Sequence, residues 1–308
     1  MAATRVASRP LTARDCARVL AQDEALYPPH TAATNDADVD ATEDTAVPAQ
    51  WVWDAATRTV RPRDPTPTPP TPPPLRPEHV AAWLHRTPQF SAVFEVTPSV
   101  KEAGVLVTVA LNERGWAELA SGRLDEADLV PRAEFNANPD DAACYRYLYD
   151  PARGDAKLAL HVYHVERMAA WASDGGTPFS QRCFQHVGAA WRQLCDAQRR
   201  AGRPVPTLLG FSALVVTGAG ERLFRDRLGF AELAFCSPLY VVERDAVRAT
   251  VGVAGVAAVA ERPAVAAALS AVMPGAVVQP VRFLRLDACG MPASPVWQDD
   301  WFGAPAPP

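Results

Sequence analysis

Apolar and polar positions alternate through Lys157-Leu158-Ala159-Leu160-His161-Val162-Tyr163-His164-Val165, a pattern that predicts a buried strand. A small polar turn, Ala172-Ser173-Asp174-Gly175-Gly176-Thr177-Pro178, follows, then a helical segment from 179 to about 201 that Gly202 and Pro204 close. A second apolar strand, 208–216, leads to a short helix ending Arg225-Asp226-Arg227-Leu228-Gly229-Phe230. Upstream, 5–8 reads as a strand. Thr12, followed three residues later by Asp15, marks the start of a helix whose Cys16, Val19, Leu20 and Leu26 share one face. Residues 78–86 predict a helix, 90–96 and 104–111 neighbouring antiparallel strands, and 126–130 another helix. Tyr145, Tyr147 and Tyr149 alternate as a strand extension or flap. Downstream, 231–242 and 277–286 read as strands, and the Ala/Val-rich 244–273, interrupted by Pro263, as two short helices.

Composition changes this picture in one place. The thirty prolines are clustered, and 62–77 favours extended polyproline conformation. Residues 35–45 are acidic and poor in large apolar side chains, and Trp51-Val52-Trp53 between the two segments predicts a stretch docked on the domain. The proline run fits either a ligand for a proline-recognition module or an inserted surface loop. An insertion costs little, because loop-closure entropy grows slowly with length. A net charge of −5 offers no basic stripe for nucleic acid; the acidic bias suits a cationic amine substrate or simple solubility. The six cysteines form no Cys-x-x-Cys pair, which reads as a reduced, cytoplasmic protein with buried thiols. Residues 1–10 lack the apolar core of a secretory signal, and 247–260 is short and glycine-interrupted for a membrane span.

The order strand, Gly-containing turn, helix, strand, short helix, Leu-Gly-Phe resembles the core of the GNAT N-acetyltransferases. Glu221-Arg222-Leu223-Phe224-Arg225-Asp226-Arg227-Leu228-Gly229-Phe230 is similar to that family's Leu-Tyr-x-x-x-Gly-Phe helix end, and Arg9-Pro10-Leu11-Thr12-Ala13-Arg14-Asp15 to the start of its domain. Asp23-Glu24-Ala25-Leu26-Tyr27-Pro28-Pro29 resembles the Glu-x-x-x-Tyr-Pro segment of the arylalkylamine branch, which includes serotonin N-acetyltransferase. The resemblance implies an α/β (α+β) fold, a mixed central sheet flanked by helices, in one domain over 1–290. That domain would carry insertions at about 31–76 and 244–275, with a Pro/Trp tail at 291–308. Residues 231–242 and 277–286 would form the closing hairpin of the sheet. It also implies acetyl-CoA as co-substrate and a small primary amine, of arylalkylamine or polyamine type, as acceptor. The cofactor's pyrophosphate would meet backbone N–H groups at the helix start, where Gly175, Gly176 and Thr177 allow close approach. Val162, His164, Val165, Thr217 and Phe224 would line the rest of the cofactor path.

Acetyl transfer to an amine needs a proton acceptor and a polarised thioester carbonyl. His161 is the base candidate, since imidazole titrates near neutral pH; a buried structural histidine is the alternative. Its surroundings resemble Leu-His-Val-Leu-x-Val of the arylalkylamine branch, although the first of that branch's two histidines falls on Ala159. Tyr163 shares the face of His161 and would orient substrate or simply fill the core. His164, three residues on, is expected on the opposite face, so no metal pair is expected. Phe224 stands where the family carries a tyrosine acid, Thr217 where it often carries asparagine, and Asp174 would repel a pyrophosphate unless turned to solvent. Two readings follow: an acetyl-CoA-dependent N-acetyltransferase, or a catalytically degenerate GNAT-fold protein with a binding or regulatory role.

Overall fold

The computed structural model describes residues 5–26, 50–63, 77–97, 101–124, 126–129, 146–168, 177–233, 239–244, 247–256 and 259–288. Gly175, Gly176, Tyr145, the acidic and proline-dense segments and the tail lie outside them, as does the side chain of Leu26. In chain order the strands are β1 (Arg5–Pro10), β2 (Gln50–Asp54), β3 (Thr59–Pro62), β4 (Ala92–Thr97), β5 (Lys101–Leu111), β6 (Lys157–Arg167), β7 (Thr207–Val215), β8 (Ala231–Glu232), β9 (Leu239–Arg244), β10 (Val247–Ala254), β11 (Val277–Pro280) and β12 (Arg282–Asp287). The α-helices are α1 (Ala13–Leu26), α2 (Pro77–Leu84), α3 (Glu113–Ala120), α4 (Phe179–Arg200), α5 (Gly218–Glu221) and α6 (Arg262–Val272).

The main sheet runs β1-β4-β5-β6-β7-β12-β8. Every neighbouring pair in it is antiparallel except β6 and β7, which are parallel. Parallel strands need a crossover, and α4 supplies it. Its buried face, including Phe179, Cys183, Phe184, Val187, Trp191 and Leu194, packs on one side of the sheet against Phe94, Leu160 and Phe211. The helix stops where the sequence says it should. Gly202 sits at φ 66, with its N–H on the Arg199 carbonyl and that of Arg203 on the Gln198 carbonyl, a Schellman closure that only a left-handed residue completes. On the other face, α1, α2 and α3 contribute Cys16, Val19, Val80, Trp83 and Trp116 to a second apolar layer. Thr12 donates both its backbone N–H and its hydroxyl to Asp15, fixing the start of α1. This is the expected mixed α/β architecture, a mixed sheet flanked by helices.

Three expectations are corrected. The strand read at 231–242 is two, and so is that at 277–286: β8 and β12 pair in the main sheet, whereas β9 and β11 pair in a second one. The Ala/Val segment is not two helices. Its first half is β10, whose alternating Val251 and Val253 are buried, and only α6 is α-helical, with Pro263 in its first turn where a missing N–H costs nothing. Third, Trp51-Val52-Trp53 is strand β2, hairpinned to β3 and joined in parallel to β10. The two apparent insertions therefore meet in one five-stranded sheet, β11-β9-β10-β2-β3, covered by α6 through Val265, Leu269 and Met273. Alternation over so few residues cannot distinguish a docked loop from a strand whose partner lies two hundred residues away.

Among the described residues no helix is long and apolar enough to cross a membrane. Cys16, Cys183 and Cys195 are buried free thiols, and burial pushes the Cys183 thiol well above its ordinary range.

Candidate active site

β6 and β7 pair only from Lys157↔Thr207 to Val162↔Ala213. Beyond that point they separate, and among the described residues β6 has no other partner on that side. A cavity of about 240 Å3 opens in the gap, lined from β6 by Val162, Tyr163, His164 and Val165 and from β7 by Ala213, Leu214 and Val215. Val216, Thr217, Gly220 and Phe224 continue the wall. Most residues expected along a cofactor path thus converge on one cavity. Thr177 does not line it; it lies just before α4, whose N-cap is Pro178.

A β-bulge in β6 shapes this wall. Pairing with β5 runs Val109↔His161 and Thr108↔Val162, then jumps to Val107↔His164, so Tyr163 is the extra residue. Cross-strand partners share a face. Val107 and Val109, two apart, both belong to the layer under α1–α3, so His161 and His164 point to the same side. The expectation that they oppose one another fails because a bulge adds one residue to the alternation. Among the described residues there is no group of three or more side chains fit to hold a metal ion.

His161 is fully buried. Its ring stacks on Phe283, with centroids 6.1 Å apart. Nδ1 lies 2.9 Å from Ser212 Oγ, on the β7 residue opposite it, and Nε2 lies 2.6 Å from Glu126 Oε1. An ionised carboxylate only accepts, so Nε2–H donates to Glu126; in the tautomer this selects, Nδ1 accepts from the serine hydroxyl. Glu126 is the one member of this chain that lines the cavity, with its side chain 20% exposed. It sits at the head of a 3-10 turn, Glu126–Leu129, rather than the helix expected over 126–130. That turn is pinned by the indole N–H of Trp83, which donates to the Leu129 carbonyl at 2.6 Å, and by the buried Leu129 side chain. Trp83 also packs its ring against Tyr163, 4.9 Å between centroids, so one tryptophan braces both the Glu126–Leu129 turn and Tyr163. No motif or spacing in the sequence marks Glu126. Only the fold brings it and Ser212 to a histidine 35 and 51 residues away.

His164 is nearly buried, with Nε2 3.4 Å from Glu166 Oε2. Thr217 caps α5 by accepting the Gly220 N–H at 3.0 Å, which leaves its hydroxyl proton to donate. Phe224 is part of a π-helical turn, Arg222–Arg227, and is locked edge-to-face on Phe230 at 5.1 Å. It offers shape and no proton.

No protein-family model matches the sequence, and no curated protein matches it. Among solved structures the chain is similar to FeeM, an N-acyl amino acid synthase from uncultured soil microbes, at 9% identity and a TM-score of 0.32, covering 93% of this chain and 92% of that one. It is also similar to the Drosophila melanogaster polyamine N-acetyltransferase, at 12% identity and a TM-score of 0.31, covering 92% and 100% of the two chains. A third likeness is to an arylalkylamine N-acetyltransferase 7 of the yellow fever mosquito, at 12% identity and a TM-score of 0.29, covering 67% and 68%.

Proposed function

We propose that the protein transfers an acyl group, acetyl in the simplest case, from its coenzyme A thioester to a small primary amine. The observation that carries this reading is the cavity between the separating ends of two parallel strands, with a Glu126–His161–Ser212 chain reaching it from inside. Where β6 diverges from β7 its edge runs along the cavity, a shape suited to the amide-rich arm of the donor. Val162, Val165, Thr217 and Phe224 make the remaining contacts with that arm, and acetyl-CoA is the co-substrate.

In this mechanism the neutral amine nitrogen attacks the thioester carbonyl carbon. The proton it sheds passes to Glu126, the carboxylate that meets the cavity. His161 stabilises that carboxylate through Nε2–H, and Ser212 holds the ring in the tautomer that can do so. Tyr163 orients the amine. The carbon–sulfur bond then breaks, and the departing thiolate takes its proton from water, since Phe224 has none to give. A carboxylate at the cavity also attracts an amine that arrives as a cation, which gives its extra proton to solvent water before it attacks.

Phe224 favours the alternative of a degenerate, ligand-binding domain, because its packing on Phe230 leaves no hydroxyl in the acid position. Titration with acetyl-CoA followed by an amine screen separates the two. A dose-dependent rise in melting temperature with turnover supports the enzyme; a rise with no turnover of any amine supports the binding domain. The proline-dense segment, read as a module ligand, is tested by whether its deletion abolishes capture by a proline-recognition domain.

A further inference from the structure

The cavity has a wall that the main sheet does not supply. Leu239, the first residue of β9, Thr250 within β10, and Val281, at the junction of β11 and β12, all line it. These belong to the second sheet or its boundary, and the sequence offered no reason to place them near β6. The wall is held rigidly. Val281 donates its N–H to the Leu239 carbonyl at 2.9 Å, which clamps two of the three residues together. Arg248 donates to the Val216 carbonyl at 3.2 Å and ties β10 to the end of β7. Glu232 pairs with both Arg262 of α6 and Arg282 of β12, bracing the second sheet against the first. Behind the wall, Tyr240, Val251 and Val253 are fully buried.

Chemistry sorts the lining residues into two sets. Glu126, Tyr163 and His164 supply its ionisable and aromatic polar groups. Val215, Val216, Phe224, Leu239 and Val281 supply apolar surface, relieved by the hydroxyls of Thr217 and Thr250. An amine suits the Glu126 carboxylate, and an uncharged aliphatic chain suits the apolar side chains, beside which a polar group without a partner would be costly. The space is also small: about 240 Å3, below the roughly 300–1,000 Å3 of sites for drug-sized ligands.

We propose that the second sheet is a length gauge for the acyl donor, with Leu239, Thr250 and Val281 forming a fixed wall that admits short aliphatic acyl groups and excludes longer ones. This rests on the reading of the cavity as an acyl-transfer site. A hydrophobic pocket discriminates by roughly 10- to 200-fold per methylene, so removing wall atoms should change selectivity measurably.

The test is calorimetric binding of free coenzyme A and its acetyl, butyryl and octanoyl thioesters to the full chain. The wild type should bind the octanoyl thioester at least tenfold more weakly than the acetyl one. Leu239→Ala and Val281→Ala should recover most of that loss, and Val281→Phe should weaken the butyryl thioester at least tenfold. Binding of free coenzyme A should stay the same in all four proteins. Leu239 is partly exposed, so its variant keeps the test available if the buried Val281 variants fail to fold. An identical length profile in folded wild type and variants overturns the gauge alone. Failure of the wild type to bind coenzyme A or any thioester overturns the acyl-transfer reading and the gauge with it.

Discussion

Glu126 Oε1 lies 2.6 Å from His161 Nε2, so the imidazole addresses the cavity only through a carboxylate. In the proposed reaction the proton acceptor at the amine is therefore Glu126, and the histidine is its support.

Glu126→Gln keeps size and a hydrogen bond but cannot accept the amine's proton. It should lower kcat by about 10²- to 10⁴-fold, the usual range for general-base catalysis, with coenzyme A affinity unchanged. Steady-state kinetics beside calorimetry checks this; an unaltered kcat would remove Glu126 from the reaction.

Ser212→Ala should act on both stability and chemistry. The variant leaves the buried Nδ1 of His161 without its donor, at a cost of about 1–3 kcal/mol. Without the serine hydroxyl the ring is no longer held with Nε2–H toward Glu126, so kcat should fall while coenzyme A affinity stays the same, a split that loss of stability alone would not produce. Denaturant melts and steady-state kinetics beside calorimetry measure the two effects separately.

Gly104 in β5 lies beneath the first residue of α4. A Cβ there would stand 2.5 Å from two ring atoms of Phe179 and 2.7 Å from the Glu166 carbonyl oxygen. Gly104→Ala should cost about 1–3 kcal/mol by overpacking, and a second change, Phe179→Leu, should restore part of it. A midpoint of unfolding equal to wild type in the single variant would show that α4 shifts without penalty.

His186 links α4 to β1 and to the 3-10 turn Pro88–Phe90, with Nδ1 3.2 Å from Ser8 Oγ and Nε2 donating to the Gln89 carbonyl at 2.9 Å. Burial holds its pKa below the ordinary 6.5, partly offset by the Gln89 bond. Above about 6.5 both folded and unfolded states keep the ring neutral; as pH falls below that, the unfolded chain takes up the proton first. Stability should thus decline from about pH 6.5 downward, and His186→Gln should flatten that part of the curve. Denaturant midpoints at several pH values would reveal an unchanged slope if the contact contributes nothing.

The main sheet was legible because its signals are local. The alternation around His161, the Gly202 stop and the Thr12/Asp15 start each lie within a few residues, and the structure keeps all three. What escaped was non-local. β2 and β10 pair across two hundred residues, and α3 went unread although Asn112 caps it by accepting the Gly115 N–H. The candidate site divides in the same way. His161 stood out by its strand, whereas Glu126 and Ser212 look like ordinary polar residues until the fold closes round them. The face of His164 was misread because a bulge is invisible to a period-two count.

The second sheet leaves the main one after Glu232 and returns at Arg282, and these two residues are themselves an ion pair, 2.9 Å apart. An excursion whose exit and entrance touch is a removable cassette. A turn of a few residues could rejoin β8 to β12 and leave the main sheet's ladder whole, with the β2–β3 hairpin as the one orphaned piece. Trimmed in that way, the chain keeps the strands that carry His161 and Ser212 in register, so the main sheet can be studied apart from the second.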